Sequence, residues 1–161
     1  MAKDITKALD NVEMAYSQVA EIASSILEEI LKPVDNIINV MGTDINSLSL
    51  DQLKDYMWKL QHKAYTLSEI KEKSLLKAEL AEALQKEKFA SRFNEADGAA
   101  AVKNNIALLE SSEEVVVQAL YENISNQLKT KVDQIHRMVN VIQSIIMTRM
   151  QEAKLSMSNL E

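Results

Sequence analysis

Six cations on one predicted helix, Lys59, Lys63, Lys73, Lys77, Lys88 and Arg92, offer the clearest chemistry in this chain. At about 100° per residue they fall within roughly a 100° arc, and Glu69, Glu72, Glu79, Glu82 and Glu87 lie off it. The row extends about 50 Å at roughly 1.5 Å per residue. Ammonium and guanidinium groups spaced in this way can follow a phosphate backbone, each contact releasing counterions, so that affinity falls with salt. Trp58, Tyr65, Phe89 and Phe93 share the helix and offer rings on which bases could stack. The plainer reading is a solvated face that keeps two apolar stripes apart. The aromatics lie on those stripes, which places most of them in the core.

Other chemistry has little to work with. The chain has no cysteine, which removes disulfides, thiolate metal sites and cysteine nucleophiles. It has no glycine-rich phosphate loop, and its two histidines, His62 and His136, stand about 75 positions apart on different predicted helices. Asp133 and His136 have the i, i+3 spacing of a carboxylate and an imidazole that could share a metal. A di-iron bundle, however, needs two Glu-x-x-His copies and two further inward glutamates, and this sequence has neither. The expectation is a non-enzymatic protein without metal or cofactor.

Charge is unevenly spread. Residues 1 to 51 hold nine acids against three lysines and so carry the entire net charge of −6, while residues 52 to 161 balance at fifteen against fifteen. Within residues 54 to 92, nine Lys and Arg oppose six acids, so a phosphate contact, if made, is local to that helix. No apolar run reaches the ~20 residues of a membrane span, and Met1-Ala2-Lys3-Asp4 opens an amphipathic pattern rather than a signal peptide. Together with the absence of cysteine, this predicts a soluble protein of a reducing cytoplasm, with no membrane partner.

The elements that must position these residues are helices. Two glycines, one proline and 4% aromatics leave few turns, so the helices must be long and a β architecture is excluded. Ile5, Leu9, Val12, Tyr16, Val19, Ala23, Ile26 and Ile30 alternate steps of four and three, the seam of a heptad helix, with Asp4 as N-cap. Pro33 predicts a stop or kink, Val34 to Met41 a short second helix, and Gly42 its end. Residues 1–47 thus form a unit for oligomerisation or partner binding, with Leu9, Val12, Tyr16, Val19, Ile26 and Ile30 as anchors, or else pack as the third helix of the chain's own bundle.

Residues 48–161 read as an antiparallel helical hairpin. Ser49 with Gln52 forms a capping box and Leu48 with Leu53 a hydrophobic staple, opening a helix that runs to about residue 96. One apolar face carries Leu53, Met57, Leu60, Ala64, Leu67, Leu75, Ala78, Phe89 and Phe93. The other carries Trp58, Tyr65, Leu76, Leu80, Ala83 and Ala90. A helix with two apolar faces needs two neighbours, in a bundle or an oligomer. Gly98 turns the chain into a return segment over 99–157, with a possible break and recap at Ser111-Ser112-Glu113-Glu114. The fold class is all-α, a coiled-coil-like bundle, and so thin a hairpin predicts self-association.

Residues 48 to 154 also carry Leu48-Ser49-Leu50, Tyr56-Met57-Trp58-Lys59-Leu60, Lys71-Glu72-Lys73-Ser74, a glycine turn, an alanine-rich start with Lys103, and Arg149-Met150-Gln151-Glu152. In layout this resembles small helical accessory proteins of tailed-phage recombination and replication, similar to mediators of UvsY type. The resemblance covers about two thirds of the chain. It implies a non-enzymatic homo-oligomer in a host cytoplasm that contacts single-stranded DNA through the six cations and helps load a recombinase. The chain departs from that pattern in charge, with a pI of about 5.1. Its acidic first third suits instead an inhibitor or adaptor that docks on a nuclease, replication or defence protein. A purely structural coiled-coil element is the third reading.

Overall fold

The chain adopts the expected all-α class. A computed structural model describes residues 2–158, with the side chains of Met14 and of 17–157 except Asp44. Four helices follow in order: α1 (Ala2–Asp44), α2 (Leu50–Glu95), α3 (Ala100–Glu110) and α4 (Ser112–Ser158).

Local chemistry sets the helix ends. Gln52 Oε1 accepts from the Ser49 amide at 2.8 Å while the Gln52 amide donates to Ser49 Oγ at 3.2 Å, the reciprocal bonds of a capping box at the start of α2. Gly98 takes φ +114°, a conformation open to glycine at no steric cost, and turns the chain between α2 and α3. The break expected near residue 111 separates α3 from α4. Ser111 is buried there, and its amide and hydroxyl both donate to the Ala107 carbonyl, at 3.1 and 2.8 Å. The Ser112 hydroxyl donates to Leu109 O at 2.7 Å, so both hydroxyls serve the end of α3.

Two expectations for the first helix are corrected. Pro33 neither stops it nor separates a second helix, because α1 continues to Asp44. Glu29 and Pro33 both face outward, where solvent can serve the carbonyl that the proline ring leaves without a donor. The buried stripe also changes step: Val19 and Ala23 hold the predicted seam, then Leu27 is buried in place of Ile26, and Val34 and Met41 follow at intervals of seven. Ile26 is exposed and Ile30 half-buried. Adjacent isoleucine and leucine cannot be ranked by spacing alone. Leu9, Val12 and Tyr16 lie outside the described side chains.

The chain divides into two compact units, and each of the three longest helices contributes to both. Unit 1 comprises Met1–Glu28 with Ile70–Gln127, and unit 2 comprises Glu29–Glu69 with Leu128–Glu161. In unit 2, Leu53, Leu60 and Leu67 of α2 repeat every seven residues, as do Leu128, Ile135 and Ile142 of α4, and all are buried with Val34 and Met41 of α1. A strict seven-residue repeat keeps one seam facing its partner helix. The Arg149 guanidinium donates to the carbonyls of Leu48 and, at 2.7 Å, Asn46, tying the α1–α2 loop to α4. Lys131 pairs with Asp35 at 2.6 Å.

Unit 1 is antiparallel in the same sense, with Lys77 near Tyr121, Lys88 near Glu114 and Arg92 near Glu110. Among the described residues its interior mixes small and large groups: Ala23, Ala78, Ala81, Ala107, Ser74, Ser111 and Ser125 are buried, as are Val19, Leu27 and Ile124. The hydroxyl of Ser74 donates to Ile70 O at 3.0 Å, so its burial leaves no donor unmet.

Candidate binding surfaces

The six cations all lie on α2, but they do different things along it. In unit 2, Lys59 bonds Asp55 at 2.6 Å and lies 5.8 Å from the centre of the Tyr56 ring. The hydrogen bond to Asp55, and then its charge, hold this ammonium above its ordinary 10.5. Lys63 is half-buried. In unit 1, Lys73 and Lys77 are exposed, and Lys77 Nζ stands 4.9 Å over the Tyr121 ring.

The last two are ion-paired across helices. Lys88 donates to both carboxylate oxygens of Glu114 at 2.9 and 3.2 Å, and Arg92 pairs with Glu95 at 2.9 Å and Glu110 at 2.8 Å. Lys88 continues the seven-residue series of Ser74 and Ala81, and Arg92 continues that of Ala78 and Gln85. These are seam positions, which face neighbouring helices of unit 1. The side-chain amide of Gln85 donates to Ser111 Oγ at 3.4 Å in the same polar stretch. The Lys88 hydrogen bond, first among its causes, holds the Glu114 carboxyl below its ordinary 4.5.

The two apolar faces predicted for α2 have opposite fates. Of the first, Leu53, Leu60, Ala64, Leu67 and Ala78 are buried, Leu75 is exposed, and Phe89 and Phe93 are half-buried with ring centres 6.2 Å apart. Of the second, Trp58 is 63% and Tyr65 72% exposed in unit 2, and Leu76 is 64% and Leu80 60% exposed in unit 1. Trp58 stacks on His62 with ring centres 5.6 Å apart. The expectation that most of these aromatics are buried therefore fails for Trp58 and Tyr65, because among the described residues nothing in their own unit covers that side of α2.

Several exposed residues went unnoticed in the sequence. Leu84 extends Leu76 and Leu80 at the same four-residue spacing, a signal open to reading. Leu108 and Leu109 on α3 and Val115, Val116 and Val117 on α4 are also exposed in unit 1; Leu109 and Val116 keep the helical spacing of residues 99–157, whereas Leu108, Val115 and Val117 fall outside it.

Asp133 and His136 are exposed on α4. His136 lines a groove of about 470 Å³ in unit 2 with Gln61, Tyr65, Ser68, Asn140 and Gln143, a mixed polar surface without an acid and base placed for proton transfer. Among the described residues no three His, Cys, Asp or Glu side chains gather as metal ligands, and no helix is long and apolar enough to cross a membrane. Comparison with family models, curated proteins and solved structures finds no match to this chain.

Proposed function

We propose that this chain is a non-enzymatic helical binding protein that works through protein contacts made by unit 1. The supporting observation is where unit 1 keeps many of its large apolar side chains: Leu76, Leu80, Leu84, Leu109 and Val116 are exposed, while its described buried residues are four alanines and three serines beside Val19, Leu27 and Ile124. Fully burying one such side chain is worth about 1.5–3 kcal/mol. Scattered apolar residues are normal on any surface, but a series at helical spacing on one helix supports a docking face. A second copy, or a partner protein such as a recombinase, nuclease or defence protein, is the class of ligand this face fits. Light scattering over a range of concentrations tests the self-association. The expected mass exceeds the 18.1 kDa of one chain and falls on dilution. A single-chain mass throughout overturns it.

A second reading is contact with single-stranded DNA, as in recombination mediators. It is favoured by unit 2, where exposed Trp58 and Tyr65 share a stretch of α2 with Lys59 and Lys63. Exposed rings stack bases and nearby cations meet phosphates. Trp58 is the sole tryptophan, so its emission reports directly on this surface. Quenching by an oligonucleotide that weakens with salt supports the reading, and unchanged emission at low salt counts against it.

A further inference from the structure

We infer that unit 1 docks on a second copy of this chain, α2 against α2 and antiparallel, about a two-fold axis at Leu80. This rests on the self-association proposed above and names its contact.

Leu76, Leu80 and Leu84 are 64%, 60% and 48% exposed, and Lys73 and Glu87 flank them, both exposed. Along α2 the five residues are spaced 3, 4, 4 and 3, a pattern that reads the same in both directions. At about 100° per residue they share one side of the helix. The charges at the two ends, however, are opposite.

That combination is self-complementary in one orientation only. Antiparallel about Leu80, Leu80 meets its own copy, Leu76 meets Leu84, and Lys73 meets Glu87 at both ends. An isologous contact of this kind is closed, as two-fold symmetry requires. A parallel pairing in register sets Lys73 against Lys73 and Glu87 against Glu87, which repel. The apolar centre supplies the attraction and the charges select the direction. Both charges stay at the solvated margin, where such pairs tune orientation more than affinity.

The natural chain has no cysteine, so one introduced thiol reports on its position alone. The full-length L80C variant should form a disulfide-linked dimer under mild oxidation, because on the axis the two thiols come within the ~7 Å reach of a disulfide. In L84C the two thiols lie about 12 Å apart along the axis at ~1.5 Å per residue. It should link poorly to itself and readily to L76C when the two are mixed. Leu80→Glu should weaken the dimer by at least ~30-fold, as loss of a central interface anchor does. Lys73→Glu should weaken it roughly 3- to 10-fold, and adding Glu87→Lys should restore it. Circular dichroism confirms that each variant remains helical.

If L80C and L84C cross-link equally, or L80C does not link while light scattering still gives more than one chain, the contact lies elsewhere. The inference then falls and the self-association stands. A single-chain mass for the wild type removes both.

Discussion

The two units differ in what the seam of α2 buries. In unit 2 it is large: Leu53, Leu60 and Leu67 of α2, like Leu128, Ile135 and Ile142 of α4, are each buried almost completely, while Trp58 and Tyr65 stand outside. In unit 1, by contrast, the described buried residues of α2 are Ser74, Ala78 and Ala81, and Leu76, Leu80 and Leu84 of the same helix stand outside. Small residues at a seam permit close approach but remove little apolar surface from water, so this stretch of α2 contributes less hydrophobic stabilisation per turn than its stretch in unit 2. Lys88, paired with Glu114, occupies the place in the seven-residue series of α2 that Leu53, Leu60 and Leu67 hold in unit 2, and Arg92, paired with Glu110, continues the series of Ala64 and Ala78. The seam of α2 is therefore apolar and large in unit 2, and small and partly ionic in unit 1, where a leucine series of the same helix lies on the surface.

The largest expected effect separates the two. Leu60→Ala removes a fully buried side chain from unit 2 and should cost about 2–5 kcal/mol in urea unfolding. The same change at Leu80, 60% exposed, should alter the stability of an isolated chain by no more than about 0.5 kcal/mol. Equal losses at the two positions would erase the contrast.

Overpacking probes the small seam of unit 1. Ala78 is 2% exposed, and a leucine there must push neighbouring helices apart, at an expected cost of about 1–3 kcal/mol. A neutral Ala78→Leu would mean that unit 1 has unfilled space rather than close packing. Unit 2 has a comparable single tether in Arg149. Arg149→Ala leaves the Asn46 and Leu48 carbonyls without that donor and should cost about 1.5–3 kcal/mol, with faster amide exchange confined to residues 45–49.

What was legible follows the range of the interactions. The Ser49–Gln52 capping box, the Gly98 turn and the break at Ser111 depend on residues a few positions apart, and spacing revealed them. The six cations share one arc on a straight helix of 3.6 residues per turn, whereas the buried seam repeats every 3.5, a drift of about 20° per heptad. From Lys59 to Lys88 that accumulates to roughly 80°, enough to turn the end of the row into the seam of unit 1. Glu114, which meets Lys88, lies 26 residues away along the chain, and no local pattern links them. Both apolar faces of α2 were visible, but which one the chain covers depends on the partner helices and not on α2 itself.

The smallest expected effect tests the polar seam of unit 1 by pH. The Lys88 ammonium stabilises the charged form of Glu114, so the folded protein binds that proton more weakly than the unfolded chain. A carboxyl with its pKa lowered on folding adds stability that is present above its ordinary 4.5 and is lost as pH falls through the lower, folded value. Acid should therefore loosen unit 1 before the apolar core of unit 2. Amide protection near Lys88 and Glu114 is expected to decline first, while that of Leu60 and Ile135 persists. Glu114→Gln removes the titrating group, so its thermal midpoint should start lower at neutral pH and approach that of the wild type in acid. Parallel pH profiles for the two proteins would show that the pair is a solvated contact with no part in holding α2 to α4.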